Sequence, residues 1–473
     1  MTEIKTRISP SPTGSAHLGT ARGAIWNYIY AKKMNGKFAL RIEDTDRDRF
    51  FPEAIEVFKK DLKWLGIEWD EYVPSQYANR KKHVAVANEL LKKGMAYKCF
   101  STKEEITTAR ENAKSKSFKF KSPWRKIAES DHPNLPFSIR LKTPENTIIA
   151  VDDIIRGHVE INTKELEDLI IVRSDGISPT YNLSVVVDDH DMNATHVARG
   201  EEHFVNTFKQ KMIYEAMGWT VPQFAHLPLV LAPAGQKGKL SKRHGAVGVG
   251  DYKDKGFLPE ALFNYLLKLG WGHGNDEIIS KKQAIEWFDF KDVSKAGMQF
   301  DLKKLESLNA HYIREKDDSK LCKVAIPFFE KHISRELSED EKKTLLLAIP
   351  DLKTRVKTLV EMAELGAFLF IIFPMDSKAE KILQKPIPII DSEEKITPQN
   401  ALSDFVKGAE NLTWTRDALN DYFNNHTEKL NVKLGKLLQP LRALICFSTI
   451  TPPLYEAMVL LGKKECLKRL KLN

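Results

Sequence analysis

Cysteine is scarce in this sequence. Its 473 residues hold four, Cys99, Cys322, Cys446 and Cys466, far apart and with no Cys-x-x-Cys pair. Neither a disulfide framework nor a zinc knuckle is indicated. Long apolar runs are missing too. None approaches the roughly 18 residues of a membrane-spanning helix, and Met1 is followed by charged residues rather than a leader core. The chain is therefore expected in the cytoplasm, away from membranes, where glycosylation matches such as Asn193-Ala194-Thr195 carry no meaning. No internal repeat or low-complexity tract occurs, so repeat architectures drop out. What is present is ordinary for a globular protein: 42% hydrophobic and 29% charged residues, enough for a core without staples. The length suits roughly two to four domains. A formal charge of +9 favours a polyanionic partner, nucleic acid first.

The first hundred residues alternate between two periodicities. "IKTRISPS" reads as a strand ended by Pro10, and "ARGAIWNYIYAKKMNG" as a helix with Ile25, Tyr28 and Ile29 on one face. "KFALRIED" is a second strand, and "AIEVFKKDLKWLG" a second helix closed by Gly66. Strand, helix, strand, helix predicts a parallel sheet with covering helices. A different texture begins near Tyr97. Between Lys98 and Lys126 nine Lys/Arg stand against three Glu, with Phe118, Phe120 and Trp124 interleaved. "FSIRLKT", "IIAVDDIIRGHVEI" and "DLIIVRSDG" then predict the strands of a mixed α/β insertion. "HVARG" and "FAHLPLVLAP" can rejoin the first sheet, and from Gly245 onward helical periodicity dominates.

Four stretches can carry chemistry. "SPSPTGSAHLGT", Ser9–Thr20, joins the first strand to the first helix, the place where open parallel sheets bind ligands. A helix N-terminus there offers free N–H groups to phosphate, Gly14 and Gly19 allow close approach, and His17 can donate a hydrogen bond. The same residues also fit a plain Pro-Gly turn with a solvent-facing histidine. "GQKGKLSKRHG" carries Lys237, Lys239, Lys242 and Arg243 among glycines. It is no P-loop, since Pro233 and Leu240 occupy positions that need Gly and Ser/Thr. It is either a mobile cationic loop closing over a triphosphate or a solvated basic turn. "RIEDTDRDR" ends the second strand with Glu43, Asp44 and Asp46, placed to take an ammonium group or magnesium, or to pair with Arg41, Arg47 and Arg49. "VARGEEHF" puts Arg199 at a strand end, for a bidentate carboxylate contact or a surface pair with Glu201 or Glu202.

Together these stretches are far more specific than any one of them. "PSPTGSAHLGT" and "KLSKR" resemble the two signatures of class I aminoacyl-tRNA synthetases, matching at His17 to Thr20 and Lys239 to Arg243. "RISPSPTG", "RIEDTDRDR", "PTYNLSVVVDDHDM" and "VARGEEHF" narrow the resemblance to the bacterial glutamyl-tRNA synthetase family. "VKLGKLLQPLRALI" and "ITPPLYEAMVLLG" extend it into the tail, so it covers nearly the whole chain.

The resemblance implies a Rossmann-type catalytic domain in two halves, 1–96 and 188–244. An inserted α/β acceptor-stem-binding domain, 97–187, divides them. A helical connecting domain, 245–318, and an all-α anticodon-binding region, 319–473, follow. It implies ATP contacts at His17, Gly19, Thr20, Glu202, His203, Leu229, Val230 and Lys242, with His17, Thr20, Lys239 and Lys242 serving catalysis. Glutamate would be held by Arg7, Ser9, Glu43, Tyr181 and Arg199. Implied partners are L-glutamate, ATP with Mg²⁺, and tRNA-Glu or tRNA-Gln, acting on a monomer. Arg355 is a conceivable anticodon contact.

Two departures from the family pattern stand out. Some relatives carry zinc opened by a Cys-x-Cys, but here Cys99 is followed by Ser101, so no zinc is expected. Val185 stands where some members have asparagine, removing a direct contact. Competing readings are an enzyme charging tRNA-Gln, a tRNA modifier lacking the C-terminal region, a glutaminyl enzyme with β-barrels in its tail, and an inactive RNA-binding paralogue. The helical tail disfavours the second and third of these. Retention of Arg7, His17 and Lys242 disfavours the last.

Overall fold

The computed structural model describes residues 3–11, 14–45, 51–113, 118–245 and 247–471, except the side chains of Lys242, Asp404, Glu410 and Lys471. The chain divides into two units, one of Met1–Tyr252 with Leu262–Leu302, the other of Lys253–Ala261 with Lys303–Asn473.

In the first unit, strand β1 (Lys5–Ile8) leads through helix α1 (Leu18–Lys33) to β2 (Lys37–Arg41), parallel to β1 from Lys5↔Lys37 to Ile8↔Leu40. Helix α2 (Pro52–Trp64) then returns the chain to β3 (Glu71–Val73), parallel to β2. Phe38, Ala39 and Leu40 are all buried, the unbroken apolar run of a strand covered on both faces. On the other side of β1, Thr195 takes up the edge. Its N–H donates to Lys5 O at 3.0 Å, and its Oγ1 accepts from Lys5 N at 2.8 Å.

The inserted region builds an antiparallel sheet from β4 (Ala96–Cys99), β5 (Ser138–Leu141) and β8 (Leu169–Val172). Its other two strands, β6 (Ile148–Asp153) and β7 (Gly157–Asn162), form a hairpin. After helices α3 (Arg80–Lys92), α4 (Lys103–Asn112) and α5 (Tyr181–Asp191) comes β9 (His196–Gly200). It runs parallel to β10 (Gln223–Leu227), which follows α6 (Phe204–Met217). The hairpin does not stand apart: β6 pairs with β10 at Asp153↔Phe224. The aromatics among the basic residues are largely structural. Phe120 is buried under the Arg140 guanidinium, and Trp124 packs edge-on against Phe100 at 4.9 Å. The Cys99 thiol donates to Ser122 Oγ at 3.3 Å.

The second unit is helical. Leu321, Phe329, Leu345, Ile349, Leu359 and Met362 share one core with Leu258 and Ala261. Phe405, Phe423, Leu437, Leu441, Ile445 and Met458 form another. Among the described residues no helix is long and apolar enough to cross a membrane.

Candidate active site

The carboxyl ends of β1, β2, β9 and β10 and the amino ends of α1 and α5 surround a cavity of about 370 Å³. Arg7, Ser9, His17, Gly19, Thr20, Glu43, Tyr181, Arg199, Glu202, His203, Leu229, Val230 and Lys239 all line it. Residues up to 232 positions apart in the sequence thus meet, as far as from Arg7 to Lys239. Lys242 begins a 3₁₀ turn, Lys242–His244, but its side chain lies outside the described residues, as do Asp46, Arg47 and Arg49 entirely. A second cavity of about 450 Å³ shares Ser9, Thr20, Glu43, Tyr181 and His203 and extends to Thr45 and Asn206.

One end of the cavity is organised by buried charge. Asp189, on α5, accepts Arg7 Nε at 3.0 Å and Nη2 at 3.1 Å, and also Arg41 Nη1 at 2.5 Å. Burial opposes its charge, but the two guanidiniums prevail and hold the carboxyl down to about 2. Arg41 Nη2 continues to Glu43 Oε1 at 3.0 Å. Burial raises the Glu43 carboxyl above its ordinary value, with Arg41 opposing the shift. Arg199 completes the set. Its guanidinium is buried and, among the described residues, bonds no carboxylate. Burial also raises the Tyr181 phenol, with the Glu43 charge adding to it. The phenol stays a donor, and its hydroxyl lies 3.4 Å from His203 Nδ1.

The other end is built on the opening turn. His17 is the N-cap of α1, and its Nδ1 accepts from Gly19 N at 3.1 Å. An accepting Nδ1 places the neutral ring's proton on Nε2, so that nitrogen is a donor. The turn is braced from afar. Leu18 N donates to Val247 O at 2.8 Å, Val249 N donates to Ala16 O at 2.9 Å, and Asp61 accepts from Ser15 Oγ and Ala16 N. The cationic stretch is a hairpin: Ala232 N bonds Gly238 O, and Leu240 N bonds Val230 O, each at 2.9 Å. That register sets Lys239 Nζ 2.5 Å from Glu202 Oε1.

Several sequence-based expectations change. The N-terminus of α1 does not present all its amides to a ligand, because Leu18 N and Gly19 N already have acceptors. Asp44 is not part of either cavity's described lining; it accepts from Tyr77 N at 2.8 Å and Ser75 Oγ at 2.7 Å and fixes the following turn. Glu43 does pair with Arg41, by one oxygen. Arg199 makes no surface pair: it is buried, Glu201 bonds Arg156 and Leu229 N, and Glu202 bonds Lys239. Val185 is buried and is not part of the cavity's described lining. Sequence reasoning missed Asp189 and Arg22, and read Arg41 as a partner of Glu43 but not of Asp189. A hint existed: the run Val185-Val186-Val187-Asp188-Asp189 drives carboxylates into a core, where they need partners. Arg22 bonds the carbonyls of Leu269 and Pro228 and lies 4.7 Å over the Trp26 ring. Burial lowers it to about 10.

A parallel sheet with a histidine-capped first turn and a lysine hairpin facing one cavity is the catalytic architecture of a class I tRNA synthetase. Residues 3–307 match the family model of the tRNA synthetases class I (E and Q) catalytic domain, and residues 320–472 match an anticodon binding domain. The chain belongs to the glutamate–tRNA ligase family within that class. It is 44% identical to glutamate–tRNA ligase 2 of Rhodospirillum centenum, over 99% of this chain and 98% of that protein. It is also 44% identical to glutamate–tRNA ligase 2 of Zymomonas mobilis, over 99% and 96%. The crystal structure of a glutamate tRNA ligase from Elizabethkingia meningosepticum, in complex with its amino acid, superposes with a TM-score of 0.85. It has 30% identity and covers 100% of this chain and 99% of that one.

Proposed function

We propose that this chain attaches L-glutamate to the 3′ end of tRNA-Glu through a glutamyl-adenylate, using ATP. The observation that carries this reading is the buried Arg199 guanidinium, which among the described residues bonds no carboxylate and has an unpartnered Nη1 at the cavity beside an unpartnered Ser9 Oγ. The side-chain carboxylate of glutamate neutralises that guanidinium, while the amide of glutamine does not, so the site selects the acid. Arg199 and Arg7 take the side-chain carboxylate, with Tyr181 and Ser9 donating further bonds. Glu43, through the oxygen Arg41 leaves, takes the α-ammonium.

ATP lies at the other end. His17 Nε2–H and Thr20 reach its phosphates, Gly19 lets them approach, and Leu229, Val230, Glu202 and His203 surround the adenosine. Lys239 and Lys242 neutralise charge developing on the phosphates. Magnesium would be carried on the nucleotide's phosphates and would help neutralise their charge. Among the described residues no group of three or more His, Cys, Asp or Glu side chains is arranged to hold a metal, and a phosphate-borne Mg²⁺ requires no such cage. An oxygen of the glutamate α-carboxylate attacks the α-phosphorus, and pyrophosphate leaves. The terminal ribose hydroxyl of tRNA, entering through the adjoining cavity at Thr45 and Asn206, then attacks the acyl carbon, and AMP leaves. Neither step needs a protein nucleophile; catalysis is positioning and charge stabilisation. We assign the enzyme to the cytoplasm as a monomer.

Aminoacylation with purified protein and separate tRNA-Glu and tRNA-Gln transcripts tests the proposal. The expected result is glutamate transfer to tRNA-Glu and no transfer of glutamine. Glutamine transfer, or no transfer to either tRNA, overturns it.

A further inference from the structure

Arg199 is held differently from its neighbours. Arg7 and Arg41 rest on the Asp189 carboxylate. The acceptors around Arg199 are uncharged: Thr207 Oγ1 at 2.8 Å and the His203 carbonyl at 3.5 Å for Nη2, and His226 Nε2 at 3.3 Å for Nε. A histidine nitrogen accepts only when it carries no proton, so the proton of His226 belongs on Nδ1. Nδ1 lies 2.6 Å from Asp153 Oδ2. Asp153 is fixed in turn, its Oδ1 accepting from the N–H groups of Ile155 (3.0 Å), Arg156 (2.8 Å) and His226 (3.2 Å). Both side chains are fully buried, and neither belongs to the cavity's described lining. The imidazole is packed edge-on by Phe204 at 4.8 Å, and Phe224 lies under both it and the Arg199 guanidinium. Burial and the Arg199 charge pull His226 toward its neutral form, against the Asp153 bond.

We infer that Asp153 and His226 are positioning residues for the substrate side-chain carboxylate. Asp153 selects the His226 tautomer, and His226 Nε2 orients Arg199 without neutralising it, leaving Nη1 for the ligand. A carboxylate in direct contact would orient Arg199 equally well but would cancel the charge that the acid substrate needs. An intervening neutral ring separates the two tasks. Asp153 ends β6, so a strand of the inserted region supplies this support across the Asp153↔Phe224 pairing. The inference rests on the glutamate-pocket reading above.

The test is a double-mutant cycle on aminoacylation of tRNA-Glu with glutamate varied. In Asp153→Asn the amide N–H opposes His226 Nδ1–H. The ring must move its proton to Nε2, donor against donor with Arg199. The expected result is a rise of about 10- to 100-fold in KM for glutamate, with KM for ATP and kcat at saturating glutamate retained. Thr207→Val, which deletes the hydroxyl that accepts from Arg199 Nη2 and lies 3.1 Å from His226 Nε2, should raise the glutamate KM in the same direction and keeps the test open if Asp153→Asn folds poorly. In an Arg199→Ala background, Asp153→Asn should add no further loss. An unchanged glutamate KM in both Asp153→Asn and Thr207→Val overturns the inference, as does an undiminished further loss when Arg199 is already absent. An unchanged KM in Arg199→Ala itself removes the carboxylate pocket and this inference with it.

Discussion

Glu43 is the residue whose role depends most on pH. Its carboxyl is buried and bonded through one oxygen to Arg41, and burial still places its titration above the ordinary carboxylate range. The sign follows. On acidification the free enzyme's Glu43 takes up its proton before an exposed carboxylate does, and a neutral acid no longer attracts the α-ammonium. kcat/KM for glutamate, which reports groups of the free enzyme, is therefore expected to fall with decreasing pH before the substrate's own side chain titrates. Glu43→Gln should have a low kcat/KM at every pH and lack that acidic limb. An identical limb in the variant would assign the titration elsewhere. Glu43, Arg7 and Arg199 were legible because each sits in a motif. Asp189 was not, although its stretch is conspicuous. A buried carboxylate declares itself only through its partners, and Arg7 is 182 residues away.

Strands β1 and β2 and helices α1 and α2 were legible to within a few residues, whereas β3, β4 and α3 to α6 were not read from the sequence, and the shifted boundaries have causes. Helix α1 starts at Leu18 rather than Ala21 because His17 caps it, and histidine is outside the usual capping set. Helix α2 starts at Pro52 because proline suits the first helical turn. What periodicity does not encode is which segment braces which. Residues 247–249 pair with the opening turn as a short antiparallel bridge, His17↔Gly248. Gly248 is close enough to Ser15 that a Cβ would lie 2.8 Å from its Oγ and 3.1 Å from its Cβ. Gly248→Ala must turn the Ser15 hydroxyl away from Asp61 and Gly250 N or push the turn aside, loosening the His17 cap and the phosphate end of the cavity while leaving the Asp189 network in place. A raised KM for ATP with an unchanged KM for glutamate is the expected split. Equal effects on both would mean that the two ends of the cavity move as one body.

At the scale of the whole molecule, the helical second unit is not a single stretch of chain. Apolar periodicity after Gly245 shows where helices form and which faces are apolar, but not which helix each face meets. Residues Lys253–Ala261 lie in this unit while the next forty-one, Leu262–Leu302, lie in the first. The short segment is built in firmly. Leu258 and Ala261 share the core of Phe329, Leu359 and Met362, Leu258 N donates to Asn309 Oδ1 at 2.8 Å, and Gly256 O accepts from Leu359 N at 2.9 Å. Gly256 has φ +79°, and a Cβ there would lie 2.7 Å from the backbone nitrogens of Leu359 and Val360. Gly256→Ala therefore meets two penalties at once: about 1–2 kcal/mol for a left-handed non-glycine residue, and a backbone contact that no rotamer relieves. Hydrogen exchange should show protection falling in the helices Asp318–Ile333 and Leu359–Gly366 and holding in Leu262–Leu302 and β9. A uniform loss across all of them would mean that the two units unfold as one, and that the seam drawn by packing is not a seam in stability.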